Sequence, residues 1–103
     1  MKKVPVFNLP NLQKLYLSDN RLTEVPAFDL PNLQVLSLHT NQLTEIPAFN
    51  LPNLHTLNLS SNDLRKVPKF VLPNLREFLL HDNNLTEENK RKIEETYQNK
   101  VHF

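Results

Sequence analysis

Apolar residues in this chain follow a single spacing that recurs. Leu12, Leu15 and Leu17 are followed by Asn20 and Leu22, and Leu33, Leu36 and Leu38 by Asn41 and Leu43. Leu54, Leu57 and Leu59 precede Asn62 and Leu64, and Leu75, Phe78 and Leu80 precede Asn83 and Leu85. The step is 21 residues each time. Within each unit the Leu-x-Leu pair has the alternation of a strand, with both apolar side chains on one face. One strand of that length cannot bury its face alone, whereas stacked copies build a continuous core. A parallel sheet of four or five short strands is predicted, each centred on its Leu-x-Leu pair.

Between strands the chain returns through Val25, Phe28 and Leu30 in the first unit, and through Ile46, Phe49 and Leu51 in the second. Pro26, Pro47 and Pro68 exclude a regular helix interior there, so these limbs are predicted to be irregular or short 3-10 turns. Residues 1–8 align with the tail of a unit, residues 9–29, 30–50 and 51–71 form full repeats, and residues 72–103 form a modified last one, all within one domain. Asn20, Asn41, Asn62 and Asn83 sit just past each strand. An amide that both donates and accepts suits a stack satisfying buried backbone at successive bends. Glycine is absent, so left-handed turn positions should fall to Asn or Asp.

After Leu85 the pattern changes. Thr86 is a fitting N-cap, Glu87 and Glu88 suit the positive end of a helix, and the pairs Glu87–Arg91 and Glu88–Lys92 have the supportive spacing. A helix over about Glu87–Tyr97 is predicted, with Ile93 and Tyr97 facing inward. Val101 and Phe103 then alternate as a fifth strand, in the roles of Leu15 and Leu17. An ion pair is expected between Glu77 and Lys100 across the last two strands. Val4, Val6 and Phe7 offer a partial lid at the other end. This leaves the first strand a candidate open edge, blocked only by Lys14, through which a weak dimer is conceivable beside a monomer.

The units read L-x-x-L-x-L-x-x-N-x-L, and the chain resembles the leucine-rich-repeat proteins at each of these positions except Phe78. The fuller pattern LPNL-x-x-L-x-L-x-x-N-x-L-T-E-x-P-x-F is similar to that of bacterial leucine-rich-repeat proteins, including effectors that intracellular pathogens deliver into host cells. The resemblance implies an α/β repeat solenoid: an arc with the sheet on its concave face and one C-terminal capping helix. It also implies protein–protein recognition, in an effector setting recognition of a host factor. A minimal or designed repeat scaffold, or a self-associating structural module, is the alternative.

In such an arc the non-leucine strand positions form the concave face. Its first column is Gln13, Gln34, His55 and Arg76, and its second is Lys14, Val35, Thr56 and Glu77. Tyr16, Ser37, Asn58 and Leu79 make the central column. Ser18, His39, Ser60 and His81 follow, then Asp19, Thr40, Ser61 and Asp82, with Asn99, Lys100 and His102 added by the last strand. These residues differ from unit to unit while the core does not, as a binding surface would. The plainer reading is that they only solvate the sheet. Tyr16, Arg76 and His55 are the expected anchors, since binding hot spots favour aromatic residues and arginine. Asn58 is expected to face solvent without a structural task.

Composition narrows the remaining classes. The net charge of +1 gives no basic excess for non-specific nucleic-acid binding and no reason to invoke a membrane surface. With no cysteine, disulfides and thiolate metal sites are excluded. His39 and His81 lie two strands apart, about 9–10 Å, too far for one zinc; His81, His102 and Asp82 are the closer set. No metal site and no cofactor are predicted. No glycine-rich phosphate loop or nucleophile elbow is present, so no enzyme activity is expected. No apolar run has the length of a secretory signal or membrane span. The expected location is cytoplasmic, or exported without a cleaved N-terminal signal, which in the effector setting implied by the resemblance means into a host cell.

Overall fold

The computed structural model describes residues 3–5, 9–70 and 72–103. Strands β1 (Lys14–Tyr16), β2 (Val35–Ser37), β3 (Thr56–Asn58) and β4 (Glu77–Leu79) are followed by helix α1 (Glu87–Tyr97), a 3-10 turn (Gln98–Lys100) and strand β5 (Val101–His102). The five strands form one parallel sheet in sequence order. Leu15 pairs with Leu36, Leu36 with Leu57, Leu57 with Phe78 and Phe78 with Val101. The 21-residue step therefore becomes an in-register lateral stack, and Leu36, Leu57 and Phe78 are fully buried.

Each repeat begins with a tight turn. The Leu12 N–H donates to the Leu9 carbonyl at 3.0 Å, and Leu33, Leu54 and Leu75 bond to Leu30, Leu51 and Leu72 in the same way. The Leu-Pro-Asn-Leu segment is thus a β-turn whose second residue is proline, where a fixed φ is an advantage. The return limbs are irregular rather than 3-10. Their phenylalanines pack in a row that ends on Phe78 of β4: Phe28 to Phe49 at 6.1 Å, Phe49 to Phe70 at 6.2 Å and Phe70 to Phe78 at 6.1 Å between ring centroids.

The asparagines past the strands form the predicted ladder. Asn41 Oδ1 accepts from the Leu22 N–H of the preceding repeat at 3.1 Å, while its amide group donates to the carbonyls of Leu17 and Leu38. Asn62 and Asn83 repeat this geometry one and two units on. Asn41 and Asn62 are buried, whereas Asn20 and Asn83 at the ends of the ladder are only half-buried. A second ladder was not foreseen. The Asn32 side chain donates to the Pro10 carbonyl at 2.7 Å, and Asn53 and Asn74 reach Pro31 and Pro52 at the same distance.

The left-handed positions depart from expectation. They recur once per repeat, at Asp19, Thr40, Ser61 and Asp82, with φ between 56° and 60°. Aspartate fits, but Thr40 is β-branched and pays for this conformation sterically. The bend is set by the repeat, and its Asn ladder holds the backbone there whichever residue occupies it.

Helix α1 has the predicted bounds. Thr86 Oγ1 accepts from the Asn89 N–H at 3.2 Å, and Glu88–Lys92 pair at 3.2 Å. Glu87 pairs with Lys90 at 3.6 Å instead of Arg91, taking the nearer of two cations on one helix face. Ile93 is buried, and Tyr97 continues the aromatic row, edge-on to Phe78 at 5.3 Å. Its hydroxyl donates to the Phe70 carbonyl at 3.0 Å. Burial raises the Tyr97 pKa. Phe103 lies beyond β5 and is exposed, so it does not take the role of Leu17. At the other end Val4 is buried; Val6 and Phe7 lie outside the described residues.

Candidate functional site

Strand alternation turns Leu15, Leu36, Leu57 and Phe78 into the core and their neighbours out to solvent. The register aligns Lys14, Val35, Thr56 and Glu77 in one column and Tyr16, Ser37, Asn58 and Leu79 in the next, with His102 beside Leu79. The order read from the sequence therefore holds for these two columns. All four histidines of the chain belong to this side of the molecule: His55 before β3, His39 and His81 after β2 and β4, and His102 on β5.

The columns are not equally accessible. Tyr16 is 61% exposed at the outer edge of the sheet, while Ser37 beside it is only 6% exposed. A short side chain between Tyr16 and Asn58 is overshadowed, so Ser37 is removed from the predicted contact surface. Gln13, Lys14, Arg76, Glu77 and His81 are exposed; Gln34, Val35, His55, Thr56, Leu79, Ser18 and His39 are half-buried. Asp19, at the left-handed bend, is exposed. Ser60 is buried because Asn58 holds it: Asn58 Oδ1 accepts from the Ser60 hydroxyl at 2.6 Å and from its N–H at 3.1 Å. Asn58 thus has a structural task the sequence reading denied it.

Charge is distributed across the face rather than paired. The expected Glu77–Lys100 ion pair is not formed: Lys100 falls in the 3-10 turn before β5, and no contact within 4.0 Å joins the two side chains. Both side chains are exposed, and exposed ion pairs return too little to fix two long rotamers. His39 Nδ1 and Thr40 Oγ1 lie 3.0 Å apart. Among the described residues no group of three or more His, Asp or Glu is close enough to hold a metal ion, and no helix is long and apolar enough to cross a membrane.

A parallel sheet built from stacked 21-residue units, with a constant inner face and a variable outer one, defines a repeat solenoid. A family model for two copies of leucine-rich repeats matches residues 10–51, and a second model for the leucine-rich repeat matches residues 53–73. The chain is a leucine-rich-repeat protein. No curated protein and no solved structure matches it. Domains of this family generally mediate protein–protein interaction and are typically non-enzymatic.

Proposed function

We propose that the chain binds a protein or peptide through the solvent face of its sheet, with Tyr16, His55 and Arg76 as anchors. The observation that carries this reading is the contrast between faces: inner positions are leucine in almost every repeat, whereas Tyr16, Ser37, Asn58 and Leu79 share one column with four chemistries. Core positions must repeat to stack; the outer positions are under no such constraint. Tyr16 offers an exposed aromatic ring at low entropy cost, and Arg76 an exposed guanidinium fork with no ion pair among the described residues. The similarity of the repeats to those of bacterial effectors supports a host protein as partner, and export into a host cell as the setting.

The test is capture from host-cell lysate by the wild-type chain and by Tyr16→Ala/Arg76→Ala. The double variant should lose the partner with its Tm within about 2 °C of the parent, because neither side chain enters the core. A Glu24→Gln control on the return limb should capture normally; its exposed pair with Lys3 at 3.2 Å contributes little. Normal capture by the double variant would remove the sheet face from consideration. A wild-type chain that retains nothing specific would point to a scaffold.

Self-association through β1 is a second reading, favoured by one observation. Leu9 is 50% exposed and Leu12, Leu15 and Leu17 only half-buried, whereas Leu33, Leu36 and Leu38 are fully buried one repeat on. Sedimentation velocity over a concentration series tests it: a purely monomeric boundary at high concentration rejects the edge as a dimer contact.

A further inference from the structure

The return limbs of the first two repeats read Leu-Thr-Glu-x-Pro-Ala-Phe, through Thr23, Glu24 and Ala27 and through Thr44, Glu45 and Ala48. The third limb replaces these three positions with Arg65, Lys66 and Lys69. The core residues of that limb, Val67 and Phe70, stay in place and stay buried. The change is therefore confined to the exposed positions, and it occurs in the one limb that lies against α1.

That neighbour creates a hollow. Helix α1 takes the place of a fourth extended limb and is held to the third at three points: Asn89 Oδ1 accepts from the Val67 N–H at 2.8 Å, the Thr86 N–H donates to the Arg65 carbonyl at 3.1 Å, and the Tyr97 hydroxyl donates to the Phe70 carbonyl at 3.0 Å. A helix is thicker than an extended chain, and two adjoining hollows of about 400 and 530 Å³ remain between the elements, sharing Asn89 and Lys92 in their walls. Arg65 and Lys66 line one hollow and Lys69 the other, with Val67 and Ile93 contributing apolar wall to the second. Arg65, Lys66 and Lys69 are exposed, and none takes part in an ion pair among the described residues. Lys92 is engaged by Glu88. Asn89 spends its oxygen on Val67, and its amide N–H donors have no partner among the described residues.

We propose that this groove binds an extended acidic peptide segment. Residues 65–69 span at most about 14 Å of extended chain, the length of about four residues of a bound strand. A single phosphate cannot bridge that distance, whereas carboxylates along a peptide can meet the three cations in turn. The free amide of Asn89 suits a peptide carbonyl, and the apolar wall suits side-chain methylenes. Glu45, Glu88 and Glu95, which also line the hollows, disfavour indiscriminate polyanion binding and select for spaced charge. The site is on the opposite side of the repeat from the sheet face and does not depend on the reading given for that face.

The experiment is an NMR titration of the full chain with a short polyglutamate peptide, at low and high salt. The perturbed amides should centre on Lys66, Lys69, Asn89 and Lys92, and the affinity should fall as salt rises. The variant Arg65→Thr/Lys66→Glu/Lys69→Ala restores the residues that the same positions carry elsewhere in the chain, so the backbone accommodates it. It should bind about tenfold more weakly or worse, the combined effect of three exposed charge contacts. Tyr16→Ala/Arg76→Ala should bind like the parent. If the triple variant is too unstable to use, Lys69→Ala alone should weaken binding measurably. Perturbations centred on the sheet, unchanged affinity in the triple variant and in Lys69→Ala, or equal displacement by inorganic triphosphate would each overturn the proposal. A triple variant with a lowered Tm and undiminished binding would do the same, by showing that the cations serve to hold the acid-rich helix.

Discussion

Replacing Asn41 by alanine isolates what the asparagine ladder contributes. Asn41 is buried, and its side chain serves Leu22 N–H at 3.1 Å, Leu17 carbonyl at 3.0 Å and Leu38 carbonyl at 2.9 Å. The two carbonyls are insured: Leu17 also accepts from Asn20, and Leu38 from Asn62. Leu22 N–H is not, because Asn41 Oδ1 is its partner and Leu22 itself is fully buried. An orphaned buried donor costs about 1–3 kcal/mol, and the lost bonds to the carbonyls add about 1 kcal/mol. Asn41→Ala should therefore destabilise by about 2–4 kcal/mol, lowering Tm by roughly 10–25 °C in a domain of this size. Asn20→Ala removes the same chemical group at the same repeat position, but its bonds go to Leu17 and Ser18 carbonyls within its own repeat. Its cost should be about 1 kcal/mol. Urea unfolding followed by circular dichroism measures both. Equal losses, or an Asn41→Ala loss under about 1 kcal/mol, would mean that the bend is held by packing and not by the amide.

Thr40→Asn should stabilise the chain by about 0.5–1 kcal/mol in the same assay, because asparagine tolerates the left-handed φ of 60° better than a β-branched residue. Deleting residues from Thr86 onward should strip the cover from Leu80, Leu85 and Phe78 and yield an insoluble or non-cooperative chain; a truncated monomer melting like the parent would reject the cap. Raising the pH tests Tyr97. Its pKa is elevated by burial, so the unfolded chain ionises first; the contribution is complete below about pH 10 and is lost as pH rises through the folded value. Tyr97→Phe should remove that part of the alkaline loss while costing about 1 kcal/mol at neutral pH through the bond to Phe70.

The sheet register, the Asn20–Asn83 ladder and the bounds of α1 were legible because each rests on strict recurrence or on local capping chemistry. The second ladder carried the same signal. Asn32, Asn53 and Asn74 recur as faithfully as Asn41, but nothing local shows that their side chains reach a carbonyl 22 residues back. The surface was less readable. Ser37 is hidden by the size of its lateral neighbours, and Asn58 turns along its own strand to bind Ser60; neither follows from a column of one-letter codes. The absent Glu77–Lys100 pair shows that charges expected on neighbouring strands are not obliged to meet. The groove beside α1 was invisible because it depends on how far a helix stands from an extended limb.

The two side-chain ladders bear on how such a molecule can grow. Asn32 fastens the turn before β2 to the repeat behind it, and Asn41 fastens the bend after β2 to that same repeat. Every internal unit gives and receives the same stitches at both ends of its strand. A duplicated unit inserted between the second and third repeats would find each donor and acceptor already waiting on both sides. Copying 21 residues of coding sequence in frame is then a conservative mutation. It leaves every existing bond type intact and widens the outer face by about 4.8 Å, so the reach of that face can change by recombination without a misfolded intermediate.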